Sequence, residues 1–408
     1  MRILVVSRHF HHTVETMVHG VFKRFQMFLE AISEIAQIDL LYYVSPQTNT
    51  CPSAVAKFEL SISNHFQVPV RLFLCPMTPG KDFFSKITGY LKGSVSIIYQ
   101  PEYSSTSGSV QLNAFETCLD KNPDAILVHR LGAMVPLFLT RKKLPPVFFD
   151  QDDIEHVAIK RRLRRFPDIR TTLLKLMLFP ALYRGEHKAI QLAHRTFICS
   201  DNDLDYLTNK WQPEGLVKIP NSVPIPGAQK ITSAPNLLFL GSYSHRPNID
   251  AAEFLIRKIW PVVHKEVPSA KLVIAGTFPE KISCFPIGAA GVQFAGFVKD
   301  LEDLYQHTRV VCAPILSGSG TRVKILEAAA YGKPVVSTQI GAEGLEMRED
   351  IDIIIRDDPK AFAKACIMLL NDMDKCNEIG NAARTTVMKI YDKEKIKKKI
   401  NKTILESL

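Results

Sequence analysis

Short apolar runs alternate with helix-period stretches along almost all of this 408-residue chain. That alternation restricts the fold to parallel sheets wrapped by helices. In the first half the runs fall at residues 3–6, 38–44, 125–129, 147–150, 196–200 and 217–219. Between the first two, Phe22, Phe25, Phe28, Leu29 and Ile32 recur at helical spacing. The second half repeats the scheme, with runs at 237–241, 271–276, 292–296, 309–313, 334–338 and 351–356. Helical patterns lie between them near 250–267, 301–306, 321–331 and 359–371. Residues 46 to 111 are rich in Ser, Thr, Pro and Gly and predict loops with one strand near 70–74. An insertion of that length is a place for substrate specificity.

The length suits two domains of roughly 200 residues each. The prolines and glycine of Pro220-Asn221-Ser222-Val223-Pro224-Ile225-Pro226-Gly227 punctuate a boundary between them.

The densest chemical signal is residues 313–345, APILSGSGTRVKILEAAAYGKPVVSTQIGAEGL. It reads as strand end, glycine loop, helix, tight turn, buried strand and second glycine loop. Gly318 and Gly320 bracket Ser319 before a helix predicted to start near Thr321. Backbone N–H groups of such a loop, with the helix N-terminus behind them, suit an anion. Lys324 and Glu327 share one helix face, while Val323, Leu326 and Ala330 line another. Glu327 lies roughly 9 Å along the axis from Thr321 at about 1.5 Å per residue. A ribose joined to a diphosphate at the helix start would reach it. Read blandly, the same string is only a strand-to-helix turn with a solvated Lys–Glu pair.

Lys324-Ile325-Leu326-Glu327-Ala328, Gly332-Lys333-Pro334-Val335-Val336 and Gly341-Ala342-Glu343-Gly344-Leu345 together resemble the signature of glycosyltransferase family 4. Pro220-Asn221-Ser222-Val223 is similar to the family's Pro-Asn-Gly-Val before the interdomain linker. The resemblance implies an α/β protein of the GT-B fold: two Rossmann-like domains facing each other across a cleft. On that pattern residues 1–225 form an acceptor-binding domain and 226–380 a nucleotide-sugar-binding domain. Residues 381–408 form a helical tail that packs back on the first domain, with Ile390-Tyr391-Asp392 resembling its start.

The resemblance also implies roles. Gly318, Ser319, Gly320 and Thr321 would hold the donor diphosphate, and Glu327 the ribose. Many members carry an earlier glutamate that contacts the donor sugar, and Ser319 fills that position here. The turn Gly241-Ser242-Tyr243-Ser244-His245-Arg246-Pro247-Asn248 would serve the donor phosphates through Gly241, Ser242 and Arg246, with Arg322 and Lys324 close behind. Val298, in Gly296-Phe297-Val298, marks the turn whose backbone receives the base. Gly20, before the first long helix, is the candidate for the first domain's loop near the donor phosphate; His9, His11 and His12 are weaker candidates there. His129 ends the run 125–129, where ligands of open α/β sheets gather, and in the family that histidine lies near the donor sugar. Arg130 should point the same way.

The implied activity is transfer of a sugar from a UDP- or GDP-sugar to a glycan or lipid-linked acceptor, with retention and without a bound metal. The nucleotide-sugar is a co-substrate, and no cofactor is implied. Two rivals stay open: a sugar-nucleotide 2-epimerase of the same fold and a non-catalytic partner protein. Asp150-Gln151-Asp152-Asp153 suits a divalent cation, an acceptor, or pairing with the basic cluster Lys160–Arg165.

Net charge is +10, gathered in that cluster and in the tail from Lys389 to Lys402. Such clusters suit an anionic membrane face as well as plain solvation. Nucleic acid is disfavoured, since neither cluster is interleaved with aromatics. Eight scattered cysteines without a Cys-x-x-Cys pair argue against disulfides or structural zinc. The expectation is a reduced cytoplasmic protein, at most peripheral to the inner membrane face. The apolar stretch 173–183 is interrupted by Pro180 and Lys175 and is too short to span a bilayer. P-loop, Gly-x-Ser-x-Gly and His-Glu-x-x-His motifs are absent.

Overall fold

A computed structural model describes residues 1–9, 20–79, 83–165, 169–227, 232–285, 289–318 and 320–408, with side chains except those of 83–86, 162–165, 169–175 and 177. The chain divides into two compact units, Met1–Pro220 with Ile396–Leu408, and Asn221–Lys395.

The first unit is built on β1 (Arg2–Ser7), β2 (Gln37–Val44), β3 (Val70–Pro76), β4 (Ala125–His129), β5 (Val147–Gln151), β6 (Arg195–Ile198) and β7 (Leu216–Lys218). Their order in the sheet is β3-β2-β1-β4-β5-β6-β7, and every pairing is parallel. Both faces are covered, so each strand feeds two cores. Ile3 and Val5 enter one with Phe25, Phe28 and Ile32, whereas Leu4 and Val6 enter the other with Phe115 and Phe149.

Residues 46–111 depart from the expected loops. They form helices Pro52–Phe66, Phe83–Gly93 and Ser109–Leu119 around β3. Phe58, Ile62 and Phe66 recur every four residues and pack on the core. The polar composition hid this stripe.

The tail expected from residue 381 is divided. Helix Met373–Ile390 lies in the second unit, and the return comes at Ile396. Ile396, Ile400 and Ile404 repeat at i, i+4, i+8 and bury in the β1–β2 core of the first unit. Lys397 Nζ and Asn401 Nδ2 reach Glu34 at 2.6 and 2.9 Å.

The second unit carries β8 (Asn236–Leu240), β9 (Lys271–Ala275), β10 (Val292–Gly296), β11 (Val310–Ala313), β12 (Val335–Ser337) and β13 (Ile354–Ile355) in the order β10-β9-β8-β11-β12-β13. The pairings are again parallel. Strand order reverses between β8 and β11, so a crevice opens beyond their carboxyl ends. Among the described residues no helix is long and apolar enough to cross a membrane.

Candidate functional site

Helix Val323–Ala330 stands directly beyond β11, and packing leaves it one polar row. Ile325 and Ala328 face the core beneath β11 and β12. Val323, Leu326, Ala329 and Ala330 face Ala383, Val387 and Tyr391 of the helix Met373–Ile390 and its end. Lys324 and Glu327 occupy what remains.

The helix starts at Val323, two residues later than the glycine spacing suggests. Arg322 is extended (φ −90°, ψ 92°) and its Nη1 donates back to Gly320 O at 2.8 Å. The Thr321 hydroxyl accepts from Asn221 Nδ2 at 2.6 Å, tying the loop to the start of the unit. Gly318 and Gly320 have φ of 114° and 77°, a region that side chains with a Cβ avoid. Ser319 lies outside the described residues, as do His11 and His12.

The helix Arg246–Phe254, which follows the turn after β8, meets this helix through Asn248. Asn248 Nδ2 donates to Ser242 O at 2.8 Å, and its Oδ1 accepts from Lys324 Nζ at 2.9 Å. Lys324 Nζ also sits 4.6 Å from the centre of the Phe239 ring. A Cβ placed on Gly241 would come within 3.1 Å of that ammonium, and one on Gly318 within 3.0 Å of Arg322 Nη2. Gly241, Ser242, Gly318, Gly320, Thr321, Arg322 and Lys324 therefore line one neighbourhood. Desolvation, and then Arg322, push the Lys324 ammonium down to about 7, against the opposing pull of Glu327. Glu327 follows one turn on, beside Tyr305 and Tyr331, whose rings stack at 4.6 Å. Burial and the Glu327 charge raise the Tyr305 phenol well above its ordinary value.

Gly276 forms the floor. Its φ is 135°, its N–H donates to Gly296 O at 2.6 Å, and a Cβ there would lie 1.6 Å from Gly241 O. Neither carbonyl nor strand can give way by that much. Gly276→Ala should cost about 1–3 kcal/mol of stability and displace the Gly241 turn. A melting scan and a nucleotide titration check both effects; an unchanged melting point would show that the approach is looser than described.

Other expected residues are placed elsewhere. Arg246 opens the helix Arg246–Phe254, is 76% exposed and pairs with Asp250 at 2.8 Å. It stands at the rim, in the turn whose Pro247 lies 3.8 Å from the Cβ position of Gly318. Val298 packs in part against the core beneath β11, one turn beyond Gly296. Gly20 is exposed as the first residue of helix Gly20–Ser33 in the first unit. His129 ends β4 as expected, but its ring is fully buried and bonded to Asp150, so it does not stand open at the strand end. Arg130 pairs with Asp153 at 3.6 Å. Asp150 and Asp152 pair with Arg24 and Arg130; the side chains of Arg162, Arg164 and Arg165 lie outside the described ones. Among the described residues no group of three or more His, Cys, Asp or Glu is placed to hold a metal. Asn248, in the first turn of the helix Arg246–Phe254, and Asn221, in a loop, carry the site's internal bonds, yet a lone asparagine near a turn gives no sequence signal beyond that turn.

Residues 234–372 match the family described as Glycosyl transferases group 1. An uncharacterized 44.6 kDa protein in the cps region of Klebsiella pneumoniae is 29% identical over 169 residues, 40% of this chain and 44% of that protein. The match thus spans less than half the length of this curated relative. Among solved structures, sucrose-phosphate synthase from Thermosynechococcus elongatus superposes with a TM-score of 0.69 at 14% identity, over 99% of this chain and 98% of that one. A mutant of S. aureus TarM in complex with fondaparinux, alpha-GlcNAc-glycerol and UDP gives 0.67 at 13%, over 100% and 99%. HepE of Anabaena in complex with UDP-glucose gives 0.61 at 15%, over the whole of both chains. With its two parallel sheets, the chain has the GT-B fold of these structures.

Proposed function

We propose, on the premise that residues 234–372 form a glycosyl transferases group 1 domain, that the protein moves a sugar from a UDP- or GDP-sugar to a glycan or lipid-linked acceptor. The observation that carries this reading is the Lys324–Asn248–Ser242 clasp between the two loops at the strand-order reversal. It holds the Lys324 side chain beside the glycine turns at the point where an open α/β sheet takes its ligand. Gly318–Thr321 would cradle the diphosphate, with Lys324 and Arg322 offsetting the charge that develops as it leaves. Arg246, at the rim, would add a flexible guanidinium. Glu327 would grip the ribose hydroxyls, and the backbone at Val298 would meet the base. His129 would support the transferring sugar, and Gly20 would lie near the phosphates. Retention and independence of a bound metal follow from the resemblance. The UDP and UDP-glucose held by TarM and HepE, and a relative in a cps region, favour a uridine donor and polysaccharide biosynthesis. The basic tail suits work beside an anionic membrane.

Glu327→Ala should weaken UDP or GDP binding roughly 10- to 100-fold, since two hydroxyls would lose a charged acceptor worth about 1.5–3 kcal/mol. Calorimetry decides it, and unchanged affinity would remove Glu327 from the site. Incubating the donor alone and looking for an epimer separates transfer from epimerisation.

A further inference from the structure

The helix Phe83–Gly93 of the first unit is mounted with its small residues inward. Gly89 and Gly93 are buried. A Cβ on Gly93 would lie 2.6 Å from the Gln100 side chain, and one on Gly89 3.2 Å from Pro101. Arg184 fixes the end of the helix, its Nη1 donating to Ser94 O and Val95 O at 3.2 and 3.3 Å. Bulky residues are thereby turned outward. Ile87 and Leu91 are 40% and 57% exposed, and beyond the helix Val95 and Tyr99 continue the spacing of four at 68% and 50%. Single exposed apolar residues are ordinary, but a row of them is not. A helix that faces only water buries such a row.

Positive charge accompanies the row. Lys92 is exposed beside Leu91. The helix Ile169–Leu192 packs against both Phe83–Gly93 and the basic helix Glu155–Arg165. It exposes Leu176 at 53%, and Lys160 and Arg161 stand exposed on its basic neighbour. Residues 83–99 contain no Asp or Glu, and residues 156–185 hold Asp168 against eight Lys and Arg. Apolar side chains flanked by cations, without acids, complement a surface that is anionic outside and apolar within. A second copy would instead set these cations against one another.

The basic tail lies on the other side of the first sheet. Its Ile396, Ile400 and Ile404 join the core of Ile3 and Val5, whereas Val157, Leu178 and Leu182 join that of Leu4 and Val6. One flat bilayer cannot meet both sides, so the tail can attract an anionic membrane only from a distance.

We infer that the helix Phe83–Gly93 and the turn after it dock the protein on a bilayer of anionic lipids. Ile87, Leu91, Val95 and Tyr99 enter the headgroup boundary, and Lys92, Lys160 and Arg161 meet lipid phosphates. The inference goes beyond sugar transfer and involves no nucleotide.

The test uses the full chain in a sedimentation assay, with vesicles of phosphatidylcholine and phosphatidylglycerol in equal parts against phosphatidylcholine alone. The wild type should bind the mixed vesicles, and more weakly as salt rises. Ile87→Ser/Leu91→Ser should bind them about 10- to 100-fold more weakly. Lys160→Gln/Arg161→Gln should lose about 10- to 30-fold, at about fivefold per cation. Lys398→Gln/Lys402→Gln, on the tail, should bind like the wild type. All six positions are exposed, so melting temperatures should stay level. Amide exchange on the wild type needs no variant: vesicles should protect residues 87–99 and leave 395–402 unchanged. No binding to the mixed vesicles, undiminished binding by either face variant, or protection confined to the tail overturns the inference. So does a wild-type dimer that Ile87→Ser/Leu91→Ser breaks, which would give the face to a second copy. Each of these failures leaves nucleotide binding, and with it the transferase reading, untouched.

Discussion

Replacing Lys324 with methionine is expected to weaken UDP or GDP binding about 10- to 100-fold, with little loss of stability. The ammonium has a neutral amide, Asn248 Oδ1, at 2.9 Å and a phenyl ring at 4.6 Å. It is thus partly desolvated and held in place before any anion arrives. A hydrogen bond to a charged group is worth about 1.5–3 kcal/mol, and each 1.4 kcal/mol is about tenfold in affinity. Methionine keeps the length of the stem and removes only the charge, so the packing on Phe239 survives. Calorimetry should show the loss in nucleotide affinity, while the melting temperature without ligand stays level or rises. If affinity is unchanged, the diphosphate lies elsewhere.

The second large effect is on pH. In the free protein the Lys324 ammonium is lowered to about 7 by desolvation and by Arg322. A bound diphosphate would raise it, because an opposite charge favours the charged form. Between the free and the bound value, binding takes up a proton. Affinity should therefore fall as pH rises from about 7, by up to about tenfold per pH unit. Below about 7 this group contributes no slope. The same shift affects stability with its own sign: the folded pKa lies below the unfolded one. The folding penalty from Lys324 is full below about 7 and disappears as pH rises toward about 10.4. Titrations in buffers of different ionisation enthalpy report the proton directly. Lys324→Arg, charged throughout, should flatten the profile; a flat profile in the wild type would show that the lysine is already charged before binding.

Much of this was legible in the residues, and the reasons are local. Leu237 and Phe239 against Leu238, or Ile3 and Val5 against Leu4 and Val6, alternate between two cores, so buried parallel strands stand out as short apolar runs. Gly318 and Gly320 announce their loop because only glycine takes such angles cheaply. Lys324 and Glu327 declare a shared face by spacing alone. The helix Pro52–Phe66 is less visible, since polar residues, exposed serines among them, separate the four apolar residues of its stripe, Val55, Phe58, Ile62 and Phe66.

What the sequence hides is contact between distant residues. Asn248 reaches Lys324 across 76 positions, and Arg24 reaches Asp150 across 126. Neither pair shares an element, so no periodicity links them. The acidic run 150–153 reads as a cation site, an acceptor site or a partner of the basic cluster Lys160–Arg165, and nothing in the spacing points to Arg24 or Arg130. His129 is legible as a strand-end residue, but its burial and its bond to Asp150, 21 positions on, are not.

A crystal structure with bound UDP or GDP tests the central claim most directly. The account predicts the diphosphate within hydrogen-bond reach of the Gly318–Thr321 backbone and Lys324 Nζ, and ribose hydroxyls on Glu327. A nucleotide bound away from the loop between β11 and the Val323–Ala330 helix would contradict it.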